Sequence, residues 1–220
     1  MTLADRLWTQ AGVWRDSILV LGGSFAIALA AQLSVPLLGE GVNHPLAAVL
    51  ASLYAALGVP LPSTPVPLTG QTFAVLLVGA LLGGRLAFLS LVAYLCEGLA
   101  GLPVFALARN AWSPSLAPGV PWILGPTAGY LFALPLAAYA VGRLAERGWD
   151  RRLPTAALAM ALGNAIILAL GLLWLSGYVG LANAVPMGLL PFLPGDALKL
   201  LAAALLLPSG WAVLGKLGLR

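Results

Sequence analysis

The chain has 220 residues, 61% of them hydrophobic and only 8% charged, with a mean hydropathy of +0.99. That leaves too little polar surface to coat a water-soluble globule, so the chain belongs in lipid as a single membrane domain. The formal charge is +4, but the cations are spread over helix ends and not gathered into a stripe with interleaved aromatics, which argues against a nucleic-acid partner.

A bilayer core of about 30 Å needs roughly 20 mainly apolar residues per helical crossing. Apolar runs separated by Gly, Pro and Arg give six predicted spans, at 18–37, 68–83, 86–105, 123–142, 155–175 and 198–214. The first contains Ala28-Leu29-Ala30, which resembles a signal-peptidase site, but the run continues through Val35 and is kept as a span. After it, 38–59 reads as an insertion. Its apolar positions Leu46, Val49, Leu50, Leu53 and Leu57 recur at helical spacing, yet the stretch is too short to cross, so it is expected to be a short extracellular surface helix. Pro60, Pro62, Pro65 and Pro67 then stiffen a segment that is either a lid or an ordinary connector, with Thr69 and Gln71 at the mouth of the second span. The third span carries Cys96 and Glu97. Cys96, the sole cysteine, allows no intramolecular disulfide and reads as packing. A second ordered outer loop, 109–122, holds Arg109, Asn110, Trp112 and Trp122. With the N-terminus inside, nine of the eleven cations fall in cytoplasmic segments, so both termini are expected in the cytoplasm of a multi-pass cell-membrane protein.

Charged groups within spans are costly and therefore candidate functional groups. Three are present: Glu97, Asp196 and Lys199. Asp196 and Lys199 are three apart on one face at the outer start of the sixth span. Two readings fit. Asp196 caps the helix while Lys199 snorkels outward, or an acceptor-only carboxylate and a three-donor ammonium meet a ligand that offers N–H groups and an anionic tail. Glu97 either lines the same cavity or pairs with Arg109. Asn164 and Tyr178 supply polar contacts to a ligand, or else interhelical glue. Gly210 to Lys216 matches a phosphate-loop pattern, but Leu217 stands where Ser or Thr is required and no strand precedes it. His44 is the only histidine, which disfavours catalytic triads and His-rich metal sites.

Four strings closely resemble the BioY family: Thr64-Pro65-Val66-Pro67-Leu68-Thr69-Gly70-Gln71-Thr72-Phe73-Ala74-Val75-Leu76-Leu77, Gly101-Leu102-Pro103-Val104-Phe105, Gly125-Pro126-Thr127-Ala128-Gly129-Tyr130-Leu131, and Pro191-Phe192-Leu193-Pro194-Gly195-Asp196-x-x-Lys199. The similarity covers nearly the whole chain in order and includes these Pro/Gly-rich strings. That family comprises biotin-binding S components of energy-coupling-factor transporters. The resemblance implies an all-α integral membrane protein of six helices with an outward-facing biotin cavity covered by the loop between the first two. It implies no cofactor and no nucleotide site, and as partners a transmembrane scaffold subunit and two cytoplasmic ATPase subunits. Ligand contacts carry over onto Asp196 and Lys199. The cavity set expected with them is Asn164, Tyr178, Glu97, Arg109, Thr69, Gln71 and Tyr130, while Ala26 and Ala30 match the scaffold-docking pattern. One departure stands out: Val35-Pro36-Leu37 and Val59-Pro60-Leu61 flank an inserted piece that family members usually lack. Two other functions remain open, an S component for another vitamin and an intramembrane enzyme using Glu97, Asp196 and Lys199.

Overall fold

The computed structural model describes residues 2–8, 12–35, 52, 55–56 and 66–216. It opens with a short helix, α1 (Leu3–Leu7), whose Thr2 and Asp5 form a reciprocal capping box. The first long helix, α2 (Val13–Gln32), stops earlier than the hydrophobic run does. Pro36 follows Val35, and a residue before proline is pushed into extended backbone. Ser34–Val35 (β1) accordingly pairs antiparallel with Leu68–Thr69 (β2), Ser34 opposite Thr69 and Val35 opposite Leu68. This two-residue ladder is the one departure from all-helical structure that joins separate segments among the described residues. The insertion expected at 38–59 and the start of the proline-rich segment lie outside those residues, apart from Ser52, Ala55 and Ala56, which are helical.

Beyond the ladder run α3 (Gln71–Leu82) and α4 (Gly84–Leu99), parted by Gly83 at φ +83, a left-handed conformation in which a side chain is strained. Gly142 of the next helix lies against that break, where an added Cβ would sit 2.3 Å from the Gly84 nitrogen. Leu99 ends α4 well short of Phe105, because Gly101 turns left-handed at φ +94 and Pro103 follows. After an irregular loop come α5 (Ala128–Glu146), α6 (Leu153–Val179), a short α7 (Leu181–Gly188) and α8 (Leu193–Lys216). The long helices therefore run alternately up and down.

Four of them, α2, α5, α6 and α8, are long and apolar enough to cross a membrane, whereas α3 is a shorter apolar helix. The centre is α5, which packs against α3, α4 and α6. Small residues let neighbours approach it closely: Ala133, Ala137, Ala138 and Val141 are fully buried. Large residues such as Phe25, Leu136, Leu173 and Leu205 are instead exposed on the outer surface. That inversion suits lipid, where the solvent is as apolar as leucine and the core gains from close packing. Cys96 also lies exposed on α4, which corrects its reading as a packing residue. On α2, Ala26 is exposed and Ala30 half-buried.

The helix ends sort by charge. Arg15, Arg85, Arg143, Arg147, Arg151, Arg152 and Lys216 occupy the end where α2 and α6 begin and α5 and α8 finish. Several are fastened there. Arg15 reaches Asp5 at 2.7 Å and so ties α1 to α2. Trp211 of α8 donates to buried Asp150 at 2.6 Å, and Arg151 stacks over its ring at 4.8 Å. Burial pushes the Asp150 carboxyl above the ordinary carboxylate value.

Candidate functional site

At the opposite end, the N-termini of α3, α5 and α8 converge on a half-open cavity. Each helix start carries partial positive charge from its unsatisfied N–H groups, so an anionic group is favoured there. Space for water centres within it is about 80 Å³, enough for several waters.

The polar side of the cavity is built by α8. Asp196 lies in its first turn, nearly fully buried, and its carboxylate is held by side chains from two helices. Lys199 Nζ donates to Oδ1 at 3.1 Å, and Asn164 Nδ2 of α6 donates to Oδ2 at 3.1 Å. Lys199 also donates to Thr72 Oγ1 of α3 at 3.3 Å. Asp196 is thus engaged by side chains and not by capping hydrogen bonds, and Lys199 turns inward where snorkelling would have taken it outward. The pair is electrically neutral as it stands. A ligand entering it must offer N–H groups to the carboxylate, a carboxylate or carbonyl to the ammonium, or both.

Next to that pair, Gln71 Nε2 donates to the Tyr94 hydroxyl at 3.0 Å, which in turn donates to the Val104 carbonyl at 3.2 Å. The Gln71 carbonyl oxygen is left without a described donor, while the backbone N–H of Gln71 donates to Thr69 Oγ1 at 3.3 Å. The remaining wall is aromatic and aliphatic: Phe105, Trp122, Tyr130, Leu134, Ile167 and Phe192. Tyr130 is fixed by donating to the Gly188 carbonyl at 2.8 Å and fits because Gly171 has no side chain, since a Cβ there would meet its ring at 2.2 Å.

Of the residues expected at a ligand site, Asp196, Lys199, Thr69, Gln71 and Tyr130 line this cavity, and Asn164 stands directly behind Asp196. Three do not. Glu97 faces α2, where buried Ser24 donates to its Oε1 at 2.6 Å, so it neither lines the cavity nor pairs with Arg109. Arg109 stacks on Trp122 at 4.6 Å and donates to the Pro114 carbonyl in the loop between α4 and α5. Tyr178 is exposed at the end of α6 and donates to the Leu124 carbonyl. Conversely, Thr72, Phe105, Trp122 and Phe192 line the cavity although sequence reasoning did not assign them to it. Thr72 could have been found from Gln71 beside it in a helix start; the aromatics carry no such signal. Among the described residues no cluster of His, Cys, Asp and Glu could hold a metal.

The BioY family model matches residues 40–216. A probable biotin transporter BioY of Pyrococcus horikoshii is 38% identical over 142 residues, covering 64% of this chain and 78% of the relative. A biotin transporter BioY of Thermotoga maritima is 37% identical over 149 residues, covering 67% of this chain and 82% of the relative. In fold, the chain superposes on the S-component for biotin from an ECF-type ABC transporter with a TM-score of 0.65 at 21% identity, covering 91% of this chain and 94% of that one. The matched region holds every cavity residue named above, from Thr69 to Lys199, and on that ground the chain is a member of the BioY family.

Proposed function

We propose that this protein is the substrate-binding membrane subunit of a biotin uptake system, capturing biotin at the outer face in the cavity between α3, α5, α6 and α8. The observation that carries the reading is the Asp196–Lys199 pair on the polar side of a cavity whose remaining wall is largely aromatic and aliphatic, in a chain whose curated relatives are named biotin transporters. Biotin combines a ureido group with two N–H donors, an apolar bicycle and chain, and a carboxylate. Asp196 accepts from N–H, Lys199 and Thr72 receive oxygen, and Trp122, Phe105 and Phe192 cover apolar surface. In this reading α2, α3, α4, α5, α6 and α8 are six spans and the cavity faces outward. The clustering of arginines at the opposite end supports that orientation, with both termini in the cytoplasm. The 38–59 insertion then lies outside. The exposed face of α2 around Ala26, with Ala30 at its edge, docks a transmembrane scaffold, and two cytoplasmic ATPases energise transport.

The enzyme alternative loses its assembly. Glu97 is bonded to Ser24 on the α2 side, so the three charges do not form one acid–base set. Titration of the purified protein with biotin, thiamine and riboflavin tests the assignment. Biotin is expected to bind far more tightly than either, and equal or weaker biotin binding would sink it. Uptake measured with the chain expressed alone reports whether the ATPase module is needed.

A further inference from the structure

On the outer surface, away from the cavity, α5 and α6 leave a groove between them near the arginine-rich end. Its apolar wall is Leu144 of α5 with Leu162, Ala165, Ile166 and Ala169 of α6, and its charged end is Arg143 and Arg147. The α6 positions fall at spacings of three and four and so share one face, which extends over about 10 Å at 1.5 Å per residue. Leu162, Ala165 and Ala169 are exposed, so no part of this chain covers them.

The arginines are not balanced locally. Arg143 pairs with Glu146 at 2.7 Å, but the other oxygen of Glu146 accepts from the Gly84 backbone at 2.8 Å, so that single carboxylate is fully used. Arg147 is exposed and makes no ion pair or side-chain hydrogen bond among the described residues. Arg151 and Arg152 lie in the adjoining turn, where buried Asp150 offsets one of their charges, and the region stays net positive. A groove with alkyl walls, opening onto the lipid face and closing on Arg147, which has no anionic partner among the described residues, beside the paired Arg143, matches an acyl chain joined to a phosphate.

We infer that this groove is a binding site for one anionic phospholipid, its phosphate on Arg147 and Arg143 and one acyl chain along α6. Assigning the lipid to the cytoplasmic leaflet rests on the orientation proposed above, but the binding itself does not. A zwitterionic lipid of the same acyl length presents the same tail but carries a cationic group beside its phosphate, and so gains less from the arginines.

Native mass spectrometry of the purified protein with phosphatidylglycerol or phosphatidylcholine of identical chains tests this. Phosphatidylglycerol adducts are expected to persist at detergent concentrations that strip phosphatidylcholine. Arg147→Gln is expected to lower phosphatidylglycerol retention about fivefold, which corresponds to about 1 kcal/mol for one basic side chain at an anionic surface. Ala169→Phe, which fills the groove without touching the charge, should lower it as well. Because Arg143 also steadies Glu146, Arg143→Gln is interpreted only if its thermal unfolding midpoint matches the parent, and Arg147→Gln with Ala169→Phe decides the matter otherwise. Equal retention of the two lipids overturns the proposal, as does phosphatidylglycerol retention unchanged in either deciding variant. Biotin titration of the same samples is independent, so failure of this site is distinguishable from failure of the transport reading.

Discussion

Asp196→Asn removes one charge of a pair whose oxygen and nitrogen lie 3.1 Å apart, with side chains 5% and 24% exposed respectively for Asp196 and Lys199. Losing one partner of a buried, hydrogen-bonded charge pair at a binding site costs about 2–5 kcal/mol of affinity, because the survivor is left charged and dry. Lys199 keeps Thr72 and some contact with the open cavity, so the lower part of that range applies, about 2–3 kcal/mol. In ligand affinity that corresponds to a loss of about 30- to 150-fold. Isothermal titration with biotin reads it directly, with the unfolding midpoint in the same detergent as a check on folding. The double variant Asp196→Asn with Lys199→Met separates a coupled pair from two independent contacts. If the pair acts as a unit, the double loss should fall well short of the sum of the two single losses. Strictly additive losses would refute the coupling. Wild-type affinity in both single variants would refute the location of the site.

Gly171→Ala places a Cβ 2.2 Å from the Tyr130 ring, so it should cost about 1–3 kcal/mol of stability as overpacking and weaken biotin binding as Tyr130 shifts, both read by thermal unfolding and titration. Asp5 should make the attachment of α1 acid-sensitive: burial opposes its ionisation, but hydrogen bonds from the Thr2 backbone and Arg15 outweigh this and hold its carboxyl below the ordinary value. The contribution is therefore complete above the unfolded value of about 3.9 and lost as pH falls through the lower folded one. Proteolysis near Leu7 followed against pH should rise on that descent and lose its dependence in Asp5→Asn. Cysteines at Asn43 and Ser63 in a Cys96→Ala background should both react with an impermeant reagent outside intact cells, whereas labelling of only one means that the 38–59 insertion crosses the membrane.

How much was legible follows from which physical signals lipid leaves intact. Helix breakers survive, so Gly83, Pro103 and Gly180 mark boundaries that apolar runs alone blur, and Asp196 with Lys199 stood out because charge is costly inside a span. Facing does not survive. In water an apolar stripe tells a helix which side is inside, but α6 buries Ala156, Ala159, Gly163 and Asn164 while exposing Leu158, Leu162 and Leu173. With large apolar residues on both faces, Met160, Ile167 and Leu175 inside as well as leucines outside, hydrophobicity gives no phase, and Glu97 could not be told apart from a cavity residue by its position along the chain. Arg109 and Tyr178 lie away from the cavity for a related reason: each donates to a backbone carbonyl of the loop between α4 and α5, Pro114 and Leu124 respectively, contacts that no spacing announces. The helix α1 could have been found from its Thr2-Asp5 capping box, whereas α7 was masked by Pro186 within its eight residues.

The antiparallel pairing of Ser34–Val35 with Leu68–Thr69 sets how evolution and engineering can treat the chain between them. Partnered residues in such a ladder are held about 5 Å apart, so both anchor points of the 36–65 excursion are fixed by backbone hydrogen bonds that belong to the bundle. Any segment that can start and finish at one spot will graft there, whatever its size. Loop-closure entropy changes by only about 0.6 kcal/mol per doubling of length, so a tight turn, a domain or a fluorescent reporter could be exchanged at this position with little strain on the helices beneath.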